Sequence, residues 1–538
     1  MNEVMVVGSG PSGVHFALTL LTKGIPVRLL DAGRAGPAPV EPELDVSELR
    51  SRLEDPVEYF LGKDLYGVAL PGEEGEFYGF PPQKRFVFER PEGLPERTAG
   101  FESLGSWARG GLARAWTAGV YPFDETELAE FPFGAGALAP FYEEVARRIG
   151  VIGEHDDLAR FMPWHDGIGE PLELDGQSAS LVARYSKARD RLNREGCFIG
   201  RSRLAVLSED RGGRRGCAYL GRCLWGCPVG ALYTPDVTLE ECRRYPGFTY
   251  EPGLLVDSFE IDESRRAAAV RVRPLDGGPA ESRPVVDTLA LATGTLGTAR
   301  LFLTSWLDAT GERPELGGLM DNRQVLVPFV HLARVGARFE TSSYQYHQLS
   351  MGLAAEPREE YVHGQITTLT SAQAHPIMET MPFDLRTAGY VFRNARAALG
   401  LLNLNFHDRR RDSCRVSIDP PGEDPDAAPV LRTVYEPPDD EEARIRSVLR
   451  RARRGLKALG CVVPPRATHT RPMGASVHYA GTLPMTEDDR PFTVTPQCRS
   501  RDVSNLFIVD GSTFPFLPAK NITFTLMANA VRVAEEAF

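Results

Sequence analysis

The chain has few cysteines, no long apolar run and no excess of positive charge. Eight cysteines in 538 residues, at 197, 217, 223, 227, 242, 414, 461 and 498, are too sparse for a disulfide scaffold. No stretch is long and apolar enough to cross a bilayer, so no membrane span is expected. The N-terminus lacks a basic leader and an apolar segment with a small-residue cleavage site, and the first strand candidate begins by Glu3, so the expected compartment is the cytoplasm. Lys and Arg number 61 against 73 Asp and Glu, and the formal net charge of −12 speaks against nucleic acid as a partner. Internal repeats are absent, as are low-complexity linkers beyond local Gly/Pro-rich loops such as Pro71 to Pro82. What is present, 42% hydrophobic and 25% charged residues, suits a folded globular protein too long for one core.

The opening residues carry the strongest local pattern. Val4 to Val7 form an apolar strand candidate, followed by Gly8-Ser9-Gly10-Pro11-Ser12-Gly13, a helix-compatible run to about Gly24, and a second strand, Val27 to Leu30, ending on Asp31. This is strand, G-x-G-x-x-G, helix, strand, acid. Gly8 permits the tight turn, Gly10 lets the backbone approach a pyrophosphate, and Gly13 lets helix and strand pack closely. The helix N-terminus offers N–H groups to phosphate oxygens. Asp31, 18 residues after Gly13, can accept from adenosine ribose hydroxyls and would repel a 2′-phosphate, which disfavours NADP.

Two further strand–glycine–helix units follow. Thr288 to Ala292 runs into Thr293-Gly294-Thr295, and Asn505 to Val509 runs into Asp510-Gly511-Ser512, with a last helix over roughly Ile522 to Glu536. A sheet assembled from all three would be one nucleotide-binding domain with long insertions. The chain here resembles the glucose–methanol–choline (GMC) flavin oxidoreductases over nearly its whole length, most strongly at the two ends. The resemblance implies FAD in the N-terminal fingerprint, with Asp510 and Gly511 approaching its ribityl and phosphate groups. It further implies a return to the FAD domain at Gly294 and a backbone contact from Val256 to adenine. Gly110-Gly111-Leu112-Ala113-Arg114-Ala115-Trp116 resembles the glycine-and-tryptophan loop of the pyranose oxidase branch, which lies along the flavin. Some members carry a flavin-bound His before that Trp. This chain has Ala115, which rules out covalent attachment through that position and makes dissociable FAD the expectation.

The same resemblance marks a catalytic pair. His478-Tyr479-Ala480-Gly481-Thr482 is similar to the family's H-x-x-G-T motif. Asn521-Ile522-Thr523 is similar to its N-P-T element at the head of the last helix, with Ile522 in place of Pro and Thr523 on the cofactor side. Oxidising an alcohol by hydride transfer to flavin N5 requires a base for the hydroxyl proton, and His is suited to it. A second donor fixes the developing alkoxide, and Asn supplies one without competing for the proton. His478 is the expected base and Asn521 the orienting donor. His407 could line a substrate pocket, and His15 in the first helix is expected to be packed.

Cys217, Cys223 and Cys227 form C-x5-C-x3-C-P. Three thiolates so spaced can converge on one soft centre, as in iron–sulfur proteins. The spacing resembles that of bacterial FAD-dependent glucose dehydrogenase subunits, which implies a [3Fe–4S] cluster as an electron exit. Small packed cysteines without a cluster are the competing reading, and zinc lacks a fourth ligand nearby. With a cluster, electrons would pass to a protein or quinone acceptor; without one, O2 becomes the expected acceptor.

The expected fold is α/β (α+β overall): a Rossmann-like FAD-binding domain from 1–150, 195–310 and 470–538, with an inserted substrate domain from 151–194 and 311–469 built on an antiparallel sheet. The Arg-rich segment after Glu441 reads as a helix with a solvated face, and Arg409-Arg410-Arg411 as solvent-facing. The expected reaction is FAD-dependent oxidation of a CH–OH group of a sugar or glycoside. A sterol or long-chain alcohol is the alternative substrate, and a non-catalytic flavin electron-transfer protein the alternative of another class.

Overall fold

A computed structural model describes the chain except residues 1–2, 66–67, 69–75, 77–79, 90–92, 165, 370–374, 380 and 421–427. Most of the Pro71 to Pro82 loop therefore lies outside the described residues. Five parallel strands form the first sheet in the spatial order Leu506–Ile508, Thr288–Leu291, Val4–Val7, Val27–Leu30, Phe248–Glu251. The central strands are apolar because both faces are covered, and only the edge strand Phe248–Glu251 is half exposed. In chain order the strands lie 5-4-1-2-3. The order reverses between the first and fourth, and a crevice opens at their C-terminal ends.

The helix Pro11–Thr22 starts where Pro11 supplies a preset φ, and it is followed by Gly24 at φ +77°. It packs against the last helix, Thr523–Ala537, whose first ten-odd residues are almost wholly buried. The helix Thr295–Thr310 packs on a three-stranded antiparallel sheet built from Leu254–Ile261, Ala267–Pro274 and Glu281–Pro284.

The second large sheet is antiparallel, in the order Cys461–Val462, Gln324–His331, Leu399–Asn405, Val362–Thr368, Leu349–Leu353, Cys197–Arg201. Its strands alternate with period two. Val325, Val327, Met351, Val362, Ile366, Leu402 and Leu404 share one apolar core with the helices Gly176–Arg194 and Glu441–Ala458. The intervening positions are polar: Gln324, Ser350, His363, Gln365, Asn403 and Asn405 share the opposite face. Two strands cross the expected boundaries. Cys197–Arg201 pairs with Leu349–Leu353, and Glu96–Ala99 pairs with Val430–Val434 in a smaller four-stranded sheet.

The helix Glu441–Ala458 buries Ile445, Val448, Ala452 and Leu456 and turns Arg446, Arg450, Arg453 and Arg454 to solvent, as its charge pattern implied. Arg410 and Arg411 differ from expectation. Arg410 donates to Gly317 O and Gly481 O at 3.0 and 2.9 Å, and Arg411 pairs with Asp408 at 2.7 Å. Backbone carbonyls and a buried carboxylate that need donors draw them inward.

Candidate active site

The glycine turn sits in the crevice of the parallel sheet. A Cβ on Gly13 would lie 2.0 Å from Gly8 O, and one on Gly8, at φ +103°, would lie 2.6 Å from Ala292 O. Helix and strands approach too closely there for any side chain. A Cβ on Gly10 would come no nearer than 3.9 Å to Ala292 O, so the space in front of it is open. Gly10 caps the helix without a side-chain acceptor, which leaves its first-turn N–H groups to an external anion. Asp31 ends the second strand and accepts from Ser9 Oγ, from Tyr250 OH at 2.9 Å and from Ser9 N at 3.3 Å; burial pushes its carboxyl up to about 6. It is therefore committed to bracing the turn. Leu254 N donates to Asp31 O, which brings Val256 two residues on to the same end of the sheet.

Other expected residues gather around this turn. Gly110, at φ +87°, donates its N–H to Ser9 Oγ at 2.9 Å, and Gly111 backs onto Gly10. Trp116 donates its Nε1–H to Tyr233 O at 2.8 Å, and Ala115 is packed beside Val87 and Ala108. Gly294 precedes Thr295–Thr310 at φ +76°. Asp510 accepts from Thr298 Oγ1 at 2.5 Å and from the Ser512 hydroxyl at 2.7 Å. Gly511 O accepts from Gly481 N at 3.1 Å, and a Cβ on Gly511 would strike Tyr479 O at 2.5 Å. The third glycine unit is thus sutured to the loop that carries His478. Thr523 opens the last helix.

His478 and Asn521 meet. Asn521 Nδ2 lies 3.3 Å from His478 Nε2, although the residues are 43 positions apart. The other ring nitrogen, Nδ1, lies 2.9 Å from Asn322 Oδ1. Asn322 Nδ2 donates to Phe406 O at 2.8 Å and to Pro518 O at 2.9 Å. With both N–H groups spent, the Asn322 amide cannot turn over, so its Oδ1 is an acceptor and His478 Nδ1 must carry the proton. Nε2 is left with a lone pair. Burial pushes the imidazole down to about 4, so it is neutral at physiological pH. The preceding Val477 has φ +58°, a costly conformation for a β-branched residue, of order 1–3 kcal/mol. Asp321 holds this strained loop: its carboxylate accepts from Gly474 N at 2.7 Å, from His478 N at 3.2 Å and from the Ser476 hydroxyl.

The polar face of the antiparallel sheet lies above the pair. Gln365 Nε2 donates to Asn521 Oδ1 at 2.7 Å and lies 3.5 Å from His347 Nε2. Asn403, directly across from Gln365 on the next strand, has a buried Oδ1 with no partner, and so has His363 Nε2. Asp321, Asn322, Gln365 and Asn403 were not anticipated. The only sequence signal was polar residues interrupting apolar stretches, as in Leu319-Met320-Asp321-Asn322. His407 is buried and accepts from Arg444 at 3.1 Å; His15 is packed, with Nε2 3.0 Å from the Tyr233 hydroxyl.

The three cysteines of the C-x5-C-x3-C-P motif are drawn together in one partly buried loop. Cys223 opens a short 3-10 turn, Cys223–Trp225, and its carbonyl accepts from Tyr346 OH at 3.1 Å. The three thiols lie near enough to oppose one another's ionisation, and burial pushes Cys217 up to about 11 and Cys223 higher. Among the described residues no three His, Cys, Asp or Glu side chains converge so as to hold a metal ion. All eight cysteines are free. No helix among the described residues is long and apolar enough to cross a membrane.

Known proteins bear on this geometry. A sequence profile described as GMC oxidoreductase, for the C-terminal part of that family, matches residues 410–530. The chain is 23% identical to the 2-methyl-1,2-propanediol dehydrogenase of Mycolicibacterium austroafricanum, over 99% of this chain and 94% of that protein. It is 26% identical to the C-glycoside 3-oxidase of Arthrobacter globiformis, again over 99% and 94%. The solved pyridoxine 4-oxidase of Mesorbium loti matches the fold with a TM-score of 0.61 at 18% identity, covering 100% of this chain and 99% of that one. The segment 410–530 thus carries the C-terminal domain of the GMC oxidoreductases, FAD-dependent enzymes that act on alcohol and sugar donors, and the whole chain, with its parallel nucleotide-type sheet and roofing antiparallel sheet, is similar in sequence and fold to proteins of that kind.

Proposed function

We propose that the chain oxidises a CH–OH group of a sugar or glycoside to the carbonyl, with His478 as the base and Asn521 as the orienting donor. The observation that carries this reading is the opposition of His478 Nε2 and Asn521 Nδ2 at 3.3 Å, with the far ends of both side chains already hydrogen-bonded. GMC oxidoreductases bind FAD. When bound, FAD supplies a two-electron acceptor for the hydrogen that leaves the carbinol carbon. The open space before Gly10, the uncapped helix N-terminus and the Cβ-free contacts of Gly8 and Gly13 suit its pyrophosphate. Asp31 and Val256 would flank the adenosine; Gly110, Gly111 and Trp116 would lie along the ring system; Gly294, Asp510, Gly511 and Thr523 would close the crevice. With Ala at 115, FAD is held without a covalent bond there.

The protein's own groups then perform the proton chemistry. His478 Nε2 accepts the hydroxyl proton, and the resulting imidazolium keeps its Nδ1–H on Asn322 Oδ1, a bond that charge strengthens. Asn521 Nδ2 has a second hydrogen for the substrate oxygen and stabilises the negative charge that develops on it. The carbon–oxygen double bond forms as the C–H hydrogen departs with its electron pair.

A polyhydroxylated substrate is favoured by the roof. Asn403 Oδ1 and His363 Nε2 are buried without partners on the face that carries Gln365, and a sugar hydroxyl would satisfy them. A sterol would leave both unpaired. The strand pairings also support assigning Cys197–Arg201 to the substrate domain together with 311–469. The test is anaerobic mixing of FAD-loaded protein with a panel of sugars, glycosides, long-chain alcohols and sterols while flavin absorbance is followed. Bleaching by sugars is the expected outcome. Bleaching by sterols alone replaces the substrate class, and no bleaching by any alcohol points to a flavin protein without turnover. Oxygen uptake against reduction of a quinone then identifies the acceptor.

A further inference from the structure

We infer that Gln365, reaching down from the antiparallel sheet, is a positioning residue that locks the Asn521 carboxamide with its NH2 toward His478. The inference rests on the reading of His478 and Asn521 given above and adds a residue that touches neither the imidazole nor the reacting carbon.

A carboxamide has two nearly isosteric ends, and a donor pair is useful only if the correct end faces the substrate. Here the orientation is determined from both sides. On one side, two carbonyls, Phe406 O and Pro518 O, take both N–H groups of Asn322, so its oxygen faces His478 Nδ1 and Nε2 must be the acceptor. On the other side, the Gln365 amide nitrogen points at Asn521 and can only donate. Turning Asn521 over would set N–H against N–H at Gln365 and oxygen against a lone pair at His478. Both contacts are repulsive in a site where Gln365 and His478 are buried. The four side chains therefore form a one-way series: Gln365 donates to Asn521, Asn521 to His478 Nε2, and His478 Nδ1–H to Asn322. Gln365 stands in the strand Val362–Thr368, and its backbone is paired on both sides, to Ser350 and to Asn403. The donor thus comes from a rigid element of the sheet rather than from a loop. Gly119 supplies the room: a Cβ there would lie 3.0 Å from His347 Nε2 and 3.3 Å from Gln365 Nε2.

Two measurements test this. In the first, flavin reduction is followed in Gln365→Leu, in Asn521→Ala and in the double variant. Gln365→Leu should lower kcat about tenfold with KM nearly unchanged, and should add nothing in the Asn521→Ala background. Multiplying effects, or a rise in KM at constant kcat, would mean direct contact with substrate and overturn the inference. Should Asn521→Ala itself turn over normally, the reading of the site fails; should it be slow while Gln365→Leu is unaffected, only the role of Gln365 fails. The second measurement needs no turnover and uses Gln365→Glu, which preserves size. Imidazole 15N shifts of His478 should report Nδ1–H with an unprotonated Nε2 in the parent protein. In the variant the carboxylate draws the Asn521 NH2 to itself, the amide oxygen turns to Nε2, and that nitrogen takes a proton from solvent, giving an imidazolium that still donates Nδ1–H to Asn322. An unchanged His478 spectrum in folded Gln365→Glu would overturn the inference.

Discussion

The two large sheets solve opposite problems. The parallel sheet is apolar on both faces, and its free polar groups are backbone atoms at strand ends: the N–H groups beyond Gly10, beside the close approach of Gly8 to Ala292. The antiparallel sheet is apolar on one face only, and its other face carries polar side chains in mid-strand: His363, Gln365 and Asn403. A phosphate-bearing cofactor is shared by many proteins and can be met by backbone geometry alone. A particular substrate must be met by particular side chains. The proposed catalytic pair lies at the seam. His478 hangs from a loop sutured to the parallel sheet through Gly481 N and Gly511 O, and Asn521 is held from above by Gln365.

Substitutions on either side of the seam should separate these roles. The largest effect is expected from His478→Ala, a loss of about 10²–10⁴ in kcat/KM for flavin reduction with flavin content unchanged. The pH profile of the parent enzyme sharpens this. The base acts when neutral and its pKa lies at about 4, so kcat/KM should hold level from neutrality downward and halve near pH 4 instead of near 6.5. Of the neighbouring titratable groups, His363 lies near enough to couple to that imidazole, and Asp321 accepts from the His478 backbone N–H. Next, Asn322→Leu removes the acceptor of Nδ1 and leaves Phe406 O and Pro518 O unpaired. Turnover should fall about 10–100-fold, and thermal unfolding should report a loss of about 1–3 kcal/mol.

On the cofactor side, Gly13→Ala drives a methyl group into Gly8 O. The purified protein should carry roughly tenfold less flavin by its 450 nm absorbance, while the antiparallel sheet is untouched. The smallest effect is expected on the roof. Asn403→Leu should raise KM for a sugar a few-fold, about 1 kcal/mol, and leave KM for a simple alcohol alone. Equal changes for both substrates would break the division of labour between the two sheets.

These regions also differ in how far they could be read in advance. The fingerprint was legible because turn, helix and acid are consecutive, and the geometry they impose is local. The motifs around His478 and Asn521 pointed to those residues for a related reason, since each is a short loop at the start of a recognisable element. Their partners left no such trace. Asn322 and Gln365 each lie 156 positions from the residue they orient, and an Asn after an Asp, or a Gln in a strand, has no meaning in isolation. The cysteine motif is local too, but spacing alone says little about it. Three thiols within eleven positions suit either a ligand set or small packed residues, and local spacing does not determine where burial and backbone bonding turn the sulfurs.

Primary structure alone was enough to specify a nucleotide-type crevice and to single out His478 and Asn521, because hydrophobic period, glycine sterics and helix capping act over a few neighbouring residues. Which tautomer the base adopts, which end of the amide faces it, and that the roof is polar follow only from the packed molecule. Those properties depend on the direction of hydrogen bonds between buried groups, and direction exists only once distant segments have excluded water and have no other partners left.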